Sequence, residues 1–197
     1  FIKISPKNIL DLGCGTGYLS LSLKKLYPNA CITCLDFSSE MLRQCKLKDP
    51  DFETICADIE NLPFKEPQYD LIVSSLTLHW CKEIEKIFYD IYKILNENGV
   101  FVFTTVGPDT LSELNETYKL IDDKEHINLF HDMHIYGDIL LSTGFDDPVI
   151  DVEKIIMEYP SVHNVFNSIK KIGANTLINS NGSNITKSMY KKIINLY

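Results

Sequence analysis

Long apolar runs, positive charge and the residue sets of nucleophilic catalysis are all scarce in this chain of 197 residues. No run is long or apolar enough to span a membrane. The opening stretch FIKISPKNIL lacks the basic head and apolar core of a signal peptide. The net charge of −8 opposes contact with a phosphate backbone. We therefore expect neither a membrane anchor nor a nucleic-acid partner.

The six cysteines lie in the first half of the chain, inside or beside apolar runs. This placement predicts buried, reduced thiols and a cytoplasmic location. Cys31 and Cys34 form a C-x-x-C pair, but residues three apart on a strand point to opposite faces, which disfavours a metal or redox site. His126, His131 and His134 straddle a loop and a helix start, so we predict no metal there either.

Strand-like and helix-like segments alternate through residues 8–106. The expected strands are NILDLG, CITCLDF, FETICAD, YDLIVSSL and GVFVFTTV, and the expected helices are Gly17–Tyr27, Ser39–Lys48 and Glu83–Leu95. Strands that alternate with helices imply βαβ crossovers. The pattern therefore predicts an α/β fold with a Rossmann-like, doubly wound and mostly parallel sheet.

The second half of the chain is predicted to be a mainly helical C-terminal addition. Its expected elements are helices over Asp109–Asp123, Met133–Thr143, Val162–Ile172 and Ser188–Leu196, and a sixth strand, PVIDVEKIIMEY. Gly144 follows the second of these helices, where a glycine commonly ends a helix.

The stretch DLGCGTG, residues 11–17, lies where the first strand turns into the first helix. Glycines at such a turn let a ligand approach the backbone N–H groups of the helix start. Gly13, Gly15 and Gly17 follow a G-x-G-x-G spacing, which differs from the G-x-G-x-x-G of dinucleotide sites. Asp11 beside the loop would repel a pyrophosphate, but it suits the sulfonium and ammonium groups of S-adenosylmethionine.

Polar and apolar residues at the ends of the next strands complete the predicted cofactor site. Asp36 can accept hydrogen bonds from both ribose hydroxyls, and Asp58 from an adenine amino group. We expect three apolar side chains over the adenine faces and two serines over the methionine part. The predicted cofactor-binding residues are Asp11, Gly13, Cys14, Gly15, Asp36, Phe37, Met41, Asp58, Ile59, Ser74 and Ser75.

The motifs DLGCGTG, LDFS, ADIENLPF and YDLIVSSLTLHW, with ILNENGVFVFTT after them, resemble the class I S-adenosylmethionine-dependent methyltransferases. The resemblance covers about residues 8–106. The stretches from LTLHW to DTLSEL, HINLFHDMHIYGDILLSTGF and VFNSIKKIGANT resemble the malonyl-[acyl-carrier-protein] O-methyltransferases of biotin synthesis. The resemblance implies one domain over residues 1–197, with a cofactor half (1–106) and an acceptor half (107–197). It also implies a seventh strand and helices before the first strand, so we expect a chain truncated at both ends.

The reaction implied by this resemblance esterifies the free carboxylate of a malonyl group on acyl carrier protein, with S-adenosylhomocysteine as the second product. An ionised carboxylate needs positioning and no general base, so no catalytic residue is expected. His79 and Trp80 follow the fourth strand and are the expected acceptor-side residues. The family often carries an arginine where this chain has Leu129. We expect a cytoplasmic monomer that docks the acidic carrier on local clusters of lysines.

The sequence also leaves other functions open. The LHW and DTLSEL segments are also similar to mitochondrial complex I assembly factors of the same superfamily, which would modify or chaperone a protein. Another small carboxylic acid, of the trans-aconitate type, is a further possible acceptor. The glycine spacing disfavours a nicotinamide-dependent oxidoreductase.

Replacing Asp36 with alanine is expected to abolish binding of S-adenosylmethionine, because the ribose hydroxyls lose their acceptor. The fold is expected to stay intact. Calorimetry measures the affinity, and circular dichroism checks the fold. An unchanged affinity would contradict the site assigned from the sequence.

Overall fold

The computed structural model describes residues 4–171 and 186–196. The IGANT segment of the resemblance, residues 172–176, lies outside them. Contacts within the chain define two compact units, which are described separately. The first comprises the described residues up to Val106 together with His134–Val149, and the second comprises Gly107–Met133 together with the described residues from Ile150 onward.

The described elements alternate as the sequence predicts over the first hundred residues. The strands are β1 (Asn8–Leu12), β2 (Cys31–Asp36), β3 (Glu53–Cys56), β4 (Tyr69–Ser75) and β5 (Leu95–Thr104). The α-helices are α1 (Tyr18–Leu26), α2 (Ser39–Lys48), α3 (Ile84–Ile94), α4 (Ser112–Lys119), α5 (Met133–Thr143), α6 (Val162–Lys171) and α7 (Lys187–Leu196). Short 3-10 helices cover Ile59–Asn61 and Leu78–Trp80.

The five strands form one sheet in the order β3-β2-β1-β4-β5, and every neighbouring pair is parallel. Register places Leu10 of β1 between Thr33 of β2 and Ile72 of β4. Because parallel strands need crossover connections, helices connect successive strands. The predicted Rossmann-like, doubly wound sheet is therefore confirmed.

Apolar side chains cover both faces of this sheet. On one face, α3 contributes a stripe spaced at helical intervals, whose members are Ile84, Ile87, Phe88, Ile91 and Ile94. They pack with Leu10 and Ile72 of the sheet and with Tyr136 and Leu140 of α5. On the other face, Leu23 of α1 and Leu42 of α2 pack against Ile9 and Ile32. Burial of this apolar area is the main favourable contribution to the stability of the unit.

The second unit has a small core of its own. Leu114, Tyr118 and Ile193 are buried, and Phe166 of α6 packs against them. The ring of His126 stacks on Tyr118 with centroids 4.4 Å apart. His126 Nε2 lies 2.8 Å from Asp122 Oδ1. No helix among the described residues is long and apolar enough to cross a membrane.

The sixth predicted strand, PVIDVEKIIMEY, is wrong: residues 148–159 form no strand. Its apolar side chains are exposed, with Val149 at 93% and Ile156 at 76% of full accessibility. A strand requires a hydrogen-bonded neighbour, and β-propensity alone does not supply one.

Two further predictions also need correction. The fifth strand begins at Leu95, before the expected turn at Asn98. Tyr69 of β4 pairs with Leu95 while Leu71 pairs with Val100, so the register shifts between them and the expected turn lies inside the strand as a bulge. Asn98 adopts φ 61°, as a bulged residue can. The predicted burial of the cysteines is wrong for three of them, because Cys31 and Cys56 are exposed and Cys81 is partly exposed. Cys31 is the first residue of β2, and Cys56 is the last residue of β3, an edge strand.

Candidate cofactor-binding site

The carboxyl ends of β1, β2, β3 and β4 lie along one edge of the sheet. Ligands of open α/β sheets bind outside this edge. The polar residues predicted from the sequence lie at or just after the ends of these strands, so the parallel topology brings them to a common edge. They are Asp11 in β1, Asp36 at the end of β2, Asp58 after β3, and Ser74 and Ser75 at the end of β4.

The glycine loop is held against β2 through its backbone. Gly13 and Cys14 both donate their N–H groups to the carbonyl of Leu35, at 2.8 and 3.0 Å. Gly15 N donates to Asp36 Oδ2 at 2.8 Å, and Ser38 N donates to Asp36 Oδ1 at 2.8 Å. Each carboxylate oxygen can accept a second hydrogen bond, so Asp36 can order the loop and still bind a pair of hydroxyls.

The loop exposes backbone at Gly15. This residue has φ 53°, and a Cβ built on it would have no atom within 4 Å. The left-handed conformation favours glycine. The empty surroundings leave room for a ligand to lie directly on the chain, which fits the adenosine and methionine parts of S-adenosylmethionine.

Asp11 lies beneath the loop and is 1% exposed. Ser20 Oγ, on α1, donates to its Oδ2 at 2.5 Å. Burial raises the pKa of Asp11 to about 6, despite the hydrogen bonds from Ser20 that lower it. The carboxylate is therefore a buried anion at neutral pH, and a positively charged ligand group nearby would offset its cost.

The turn after β3 is held by contacts to the start of α3. Asp58 Oδ1 accepts from Glu60 N at 2.9 Å and caps the 3-10 helix. Glu60 Oε1 accepts from Lys82 N at 2.6 Å, and Lys86 Nζ donates to the carbonyl of Glu60. Ile59 packs into the core with 9% of its surface exposed, so it presents little area to a ligand.

Phe37 and Met41 differ from Ile59 in exposure. Phe37, directly after Asp36, is 79% exposed, and Met41 on the first turn of α2 is 40% exposed. Both offer apolar surface beside the loop. Cys14 contributes its backbone to the loop, while its side chain is buried.

The two serines that end β4 have different environments. Ser74 is buried and donates to the carbonyl of Leu12 at 2.9 Å, which fixes β4 to the end of β1. Ser75 is exposed, and Thr104 Oγ1 lies 3.3 Å from its Oγ. Leu76 adopts φ 51°, a conformation that is uncommon for a residue with a side chain. Nothing in the sequence marks Leu76, because backbone strain leaves no residue pattern.

His79 and Trp80 lie in the 3-10 helix after β4, and both are half-buried. Their ring centroids are 4.9 Å apart. Burial lowers the pKa of His79, so its imidazole is neutral at pH 7. A neutral ring can offer a hydrogen bond to an acceptor but no positive charge.

Lys48 is a site residue that the sequence analysis missed. Its Nζ donates to the carbonyl of Thr16 at 2.7 Å and lies 3.4 Å from the centroid of the Tyr18 ring. These contacts fasten the end of the glycine loop to the end of α2. Lys48 lies 32 residues after Thr16 in the sequence, so the contact is seen only once α2 packs beside the glycine loop.

Comparisons with known proteins agree with this geometry. Residues 10–103 match the family model described as "Methyltransferase domain". The malonyl-[acyl-carrier protein] O-methyltransferase of Gallionella capsiferriformans is 33% identical over all of this chain and 71% of its own length. The enzyme of that name from Legionella pneumophila is 35% identical over 98% of this chain and 69% of its own length. A solved S-adenosylmethionine-dependent methyltransferase from Clostridium acetobutylicum is 29% identical, with a TM-score of 0.50, over 55% of this chain and 46% of that one.

The substitution Asp11→Asn is expected to remove a pH dependence of stability. The folded chain holds the Asp11 proton more tightly than the unfolded chain, since the pKa rises from 3.8 to about 6. This contribution is present below pH 4 and lost as the pH rises through 6, a loss of about 3 kcal/mol. Urea unfolding at several pH values between 4 and 7.5 measures it.

Asp51→Asn, at an exposed position, serves as the matched control and should keep the pH dependence of the unaltered chain. An identical pH profile for Asp11→Asn and the unaltered chain would contradict the assignment.

Proposed function

This chain belongs to the malonyl-[acyl-carrier protein] O-methyltransferase family of S-adenosylmethionine-dependent methyltransferases, and from this premise we propose that it methylates the free carboxylate of malonyl-acyl carrier protein in biotin synthesis. The products are the malonyl methyl ester and S-adenosylhomocysteine. The ester hides a charge, so that enzymes of fatty acid synthesis can elongate the chain in an apolar tunnel.

The observation that carries the proposal is the glycine loop held by Asp36, with open space above Gly15. We assign the remaining lone pairs of Asp36 to the ribose hydroxyls and those of Asp58 to the adenine amino group. The exposed apolar surfaces of Phe37 and Met41 would cover the adenine. The backbone of Gly13, Cys14 and Gly15 would line the methionine part, with the buried charge of Asp11 beneath it and Ser74 and Ser75 at its far side.

Bound at this site, S-adenosylmethionine supplies a methyl group activated by the adjacent sulfonium. The chain's own residues bind and orient the reactants and exclude water from the carboxylate. Methyl transfer would require these residues to hold the malonyl carboxylate against the methyl group, and it would require no proton transfer. The proposal therefore assigns no general base.

On the acceptor side we propose His79 and Trp80 as the residues at the entrance. The neutral imidazole can donate a hydrogen bond to the malonyl carboxylate, and the indole can pack against the thioester arm. Ile59, which lies in the core, would act by supporting Asp58 from below.

The decisive experiment measures transfer of a labelled methyl group from S-adenosylmethionine to malonyl-acyl carrier protein by the purified full-length protein. We expect label in a base-labile ester. Asp36→Asn keeps the side chain's shape and should lose most of the transfer, because it exchanges one acceptor for a donor. Cofactor binding without transfer to any acid would favour a role as a respiratory-complex assembly factor. Transfer to a free dicarboxylic acid alone would favour the small-acid methyltransferase.

We further propose that the partner is the acidic acyl carrier protein, bound by a cytoplasmic monomer. Lys170 on α6 and Lys191 and Lys192 on α7 are exposed in the second unit. The rings of Phe166 and Tyr190 join these helices with centroids 5.5 Å apart. His163 Nδ1 also lies 3.0 Å from Tyr190 Oη. We assign the basic docking face for the carrier to these two helices, despite the net charge of −8.

Reversing Lys170, Lys191 and Lys192 to glutamate should raise the KM for malonyl-acyl carrier protein, because the substituted face would repel the carrier. The kcat with malonyl-coenzyme A, which has no carrier domain, should stay the same. Reversing the exposed Lys7, Lys25 and Lys65 instead changes the net charge equally and is the matched control. An equal rise in KM for both triple variants would place the docking site elsewhere.

A further inference from the structure

Three cysteine side chains meet beneath the glycine loop. The Sγ atoms of Cys14, Cys34 and Cys45 all lie within 4.8 Å of one another, and all three residues are buried. Cys14 belongs to the glycine loop, Cys34 to β2 and Cys45 to α2, so the three come from separate elements. Nothing in the methyl transfer described above uses these thiols.

The distances between the three sulfur atoms are close to those between the sulfur ligands of one zinc ion. A thiolate binds zinc at about 2.3 Å, which places the sulfurs of one ion about 4 Å apart. The observed limit of 4.8 Å therefore requires a closure of less than about an ångström, within the reach of side-chain rotation. Gly17 makes room for the cluster, because a Cβ there would lie 2.5 Å from Cys45 Sγ.

The surroundings of the cluster favour a cation. Cys34 Sγ lies 3.2 Å from Ser20 Oγ, which in turn donates to the buried carboxylate of Asp11. The rest of the cluster is apolar and includes Leu23 and Leu42. The carboxylate of Asp11 is a buried negative charge close to the sulfur atoms, and a cation bound there would offset its cost. The cysteines are neutral thiols until an ion displaces their protons. A divalent ion leaves less net negative charge than a monovalent one.

We propose that Cys14, Cys34 and Cys45 form a buried three-thiolate site for a thiophilic divalent cation of the zinc and cadmium kind. Soft sulfur ligands select such ions over magnesium or calcium. Binding releases the thiol protons to solvent and forms three metal–sulfur bonds, with no change in oxidation state. The ion would tie the glycine loop to β2 and α2 and so restrict the backbone at Gly15.

The test uses cadmium as the probe and the reduced protein. Titration should give a thiolate-to-cadmium absorption band that saturates at roughly one ion per chain, and zinc should compete for the same site. X-ray absorption at the cadmium edge should show a shell of sulfur ligands. Hydrogen exchange around Gly15 should slow when the ion is bound.

Cys34→Ser and Cys45→Ser should each weaken cadmium binding by more than about 100-fold, since each removes a ligand. Cys31→Ser, at an exposed cysteine, is the matched control and should bind as the unaltered chain does. Circular dichroism shows whether each variant folds. X-ray absorption on the unaltered protein tests the sulfur ligands directly, so the proposal can be checked even if a variant does not fold. Three results would overturn the proposal. They are a cadmium shell of oxygen and nitrogen ligands, an equal loss of cadmium affinity in Cys31→Ser, and an intramolecular disulfide in place of bound cadmium.

Discussion

A backbone N–H of the glycine loop and a carboxylate at the end of β2 meet at 2.8 Å, and the arrangement of the candidate site follows from this contact between Gly15 and Asp36. A loop rich in glycine has many conformations in the unfolded chain, so it needs fixed partners when folded. Leu35 and Asp36 supply them from the neighbouring strand. The same carboxylate keeps lone pairs for a ligand, so ordering the loop and preparing the site are one event.

The core directly beneath the glycine loop contains several polar and thiol side chains. Asp11, Ser20 and three cysteines occupy the space where α1 and α2 pack on β1 and β2. Buried polar groups lower stability unless they are hydrogen-bonded, and Ser20 provides the bond that Asp11 requires. Their position directly under the glycine loop suggests that this layer influences the site through the loop's backbone.

Much of the fold could be predicted because it depends on local patterns. The spacing of apolar residues located α3, and the expected helix Ser39–Lys48 coincides with α2, where the Ser38 side chain accepts a hydrogen bond from Met41 N. The prediction of a sixth strand was wrong because segment 148–159 has the composition of a strand but no neighbouring strand to pair with. Ile59 was expected over the adenine but packs into the core, since a turn residue's facing depends on the elements around it.

By itself, the sequence determined the alternation of strands and helices, the position of the glycine loop and the resemblance to methyltransferases. These follow from periodicity and short motifs, which act within a few residues of one another. Only the tertiary structure showed that Lys48 fastens the loop and that Cys14, Cys34 and Cys45 share one cluster. Such contacts join elements far apart in the chain, and they depend on how helices pack on the sheet, which no local pattern encodes.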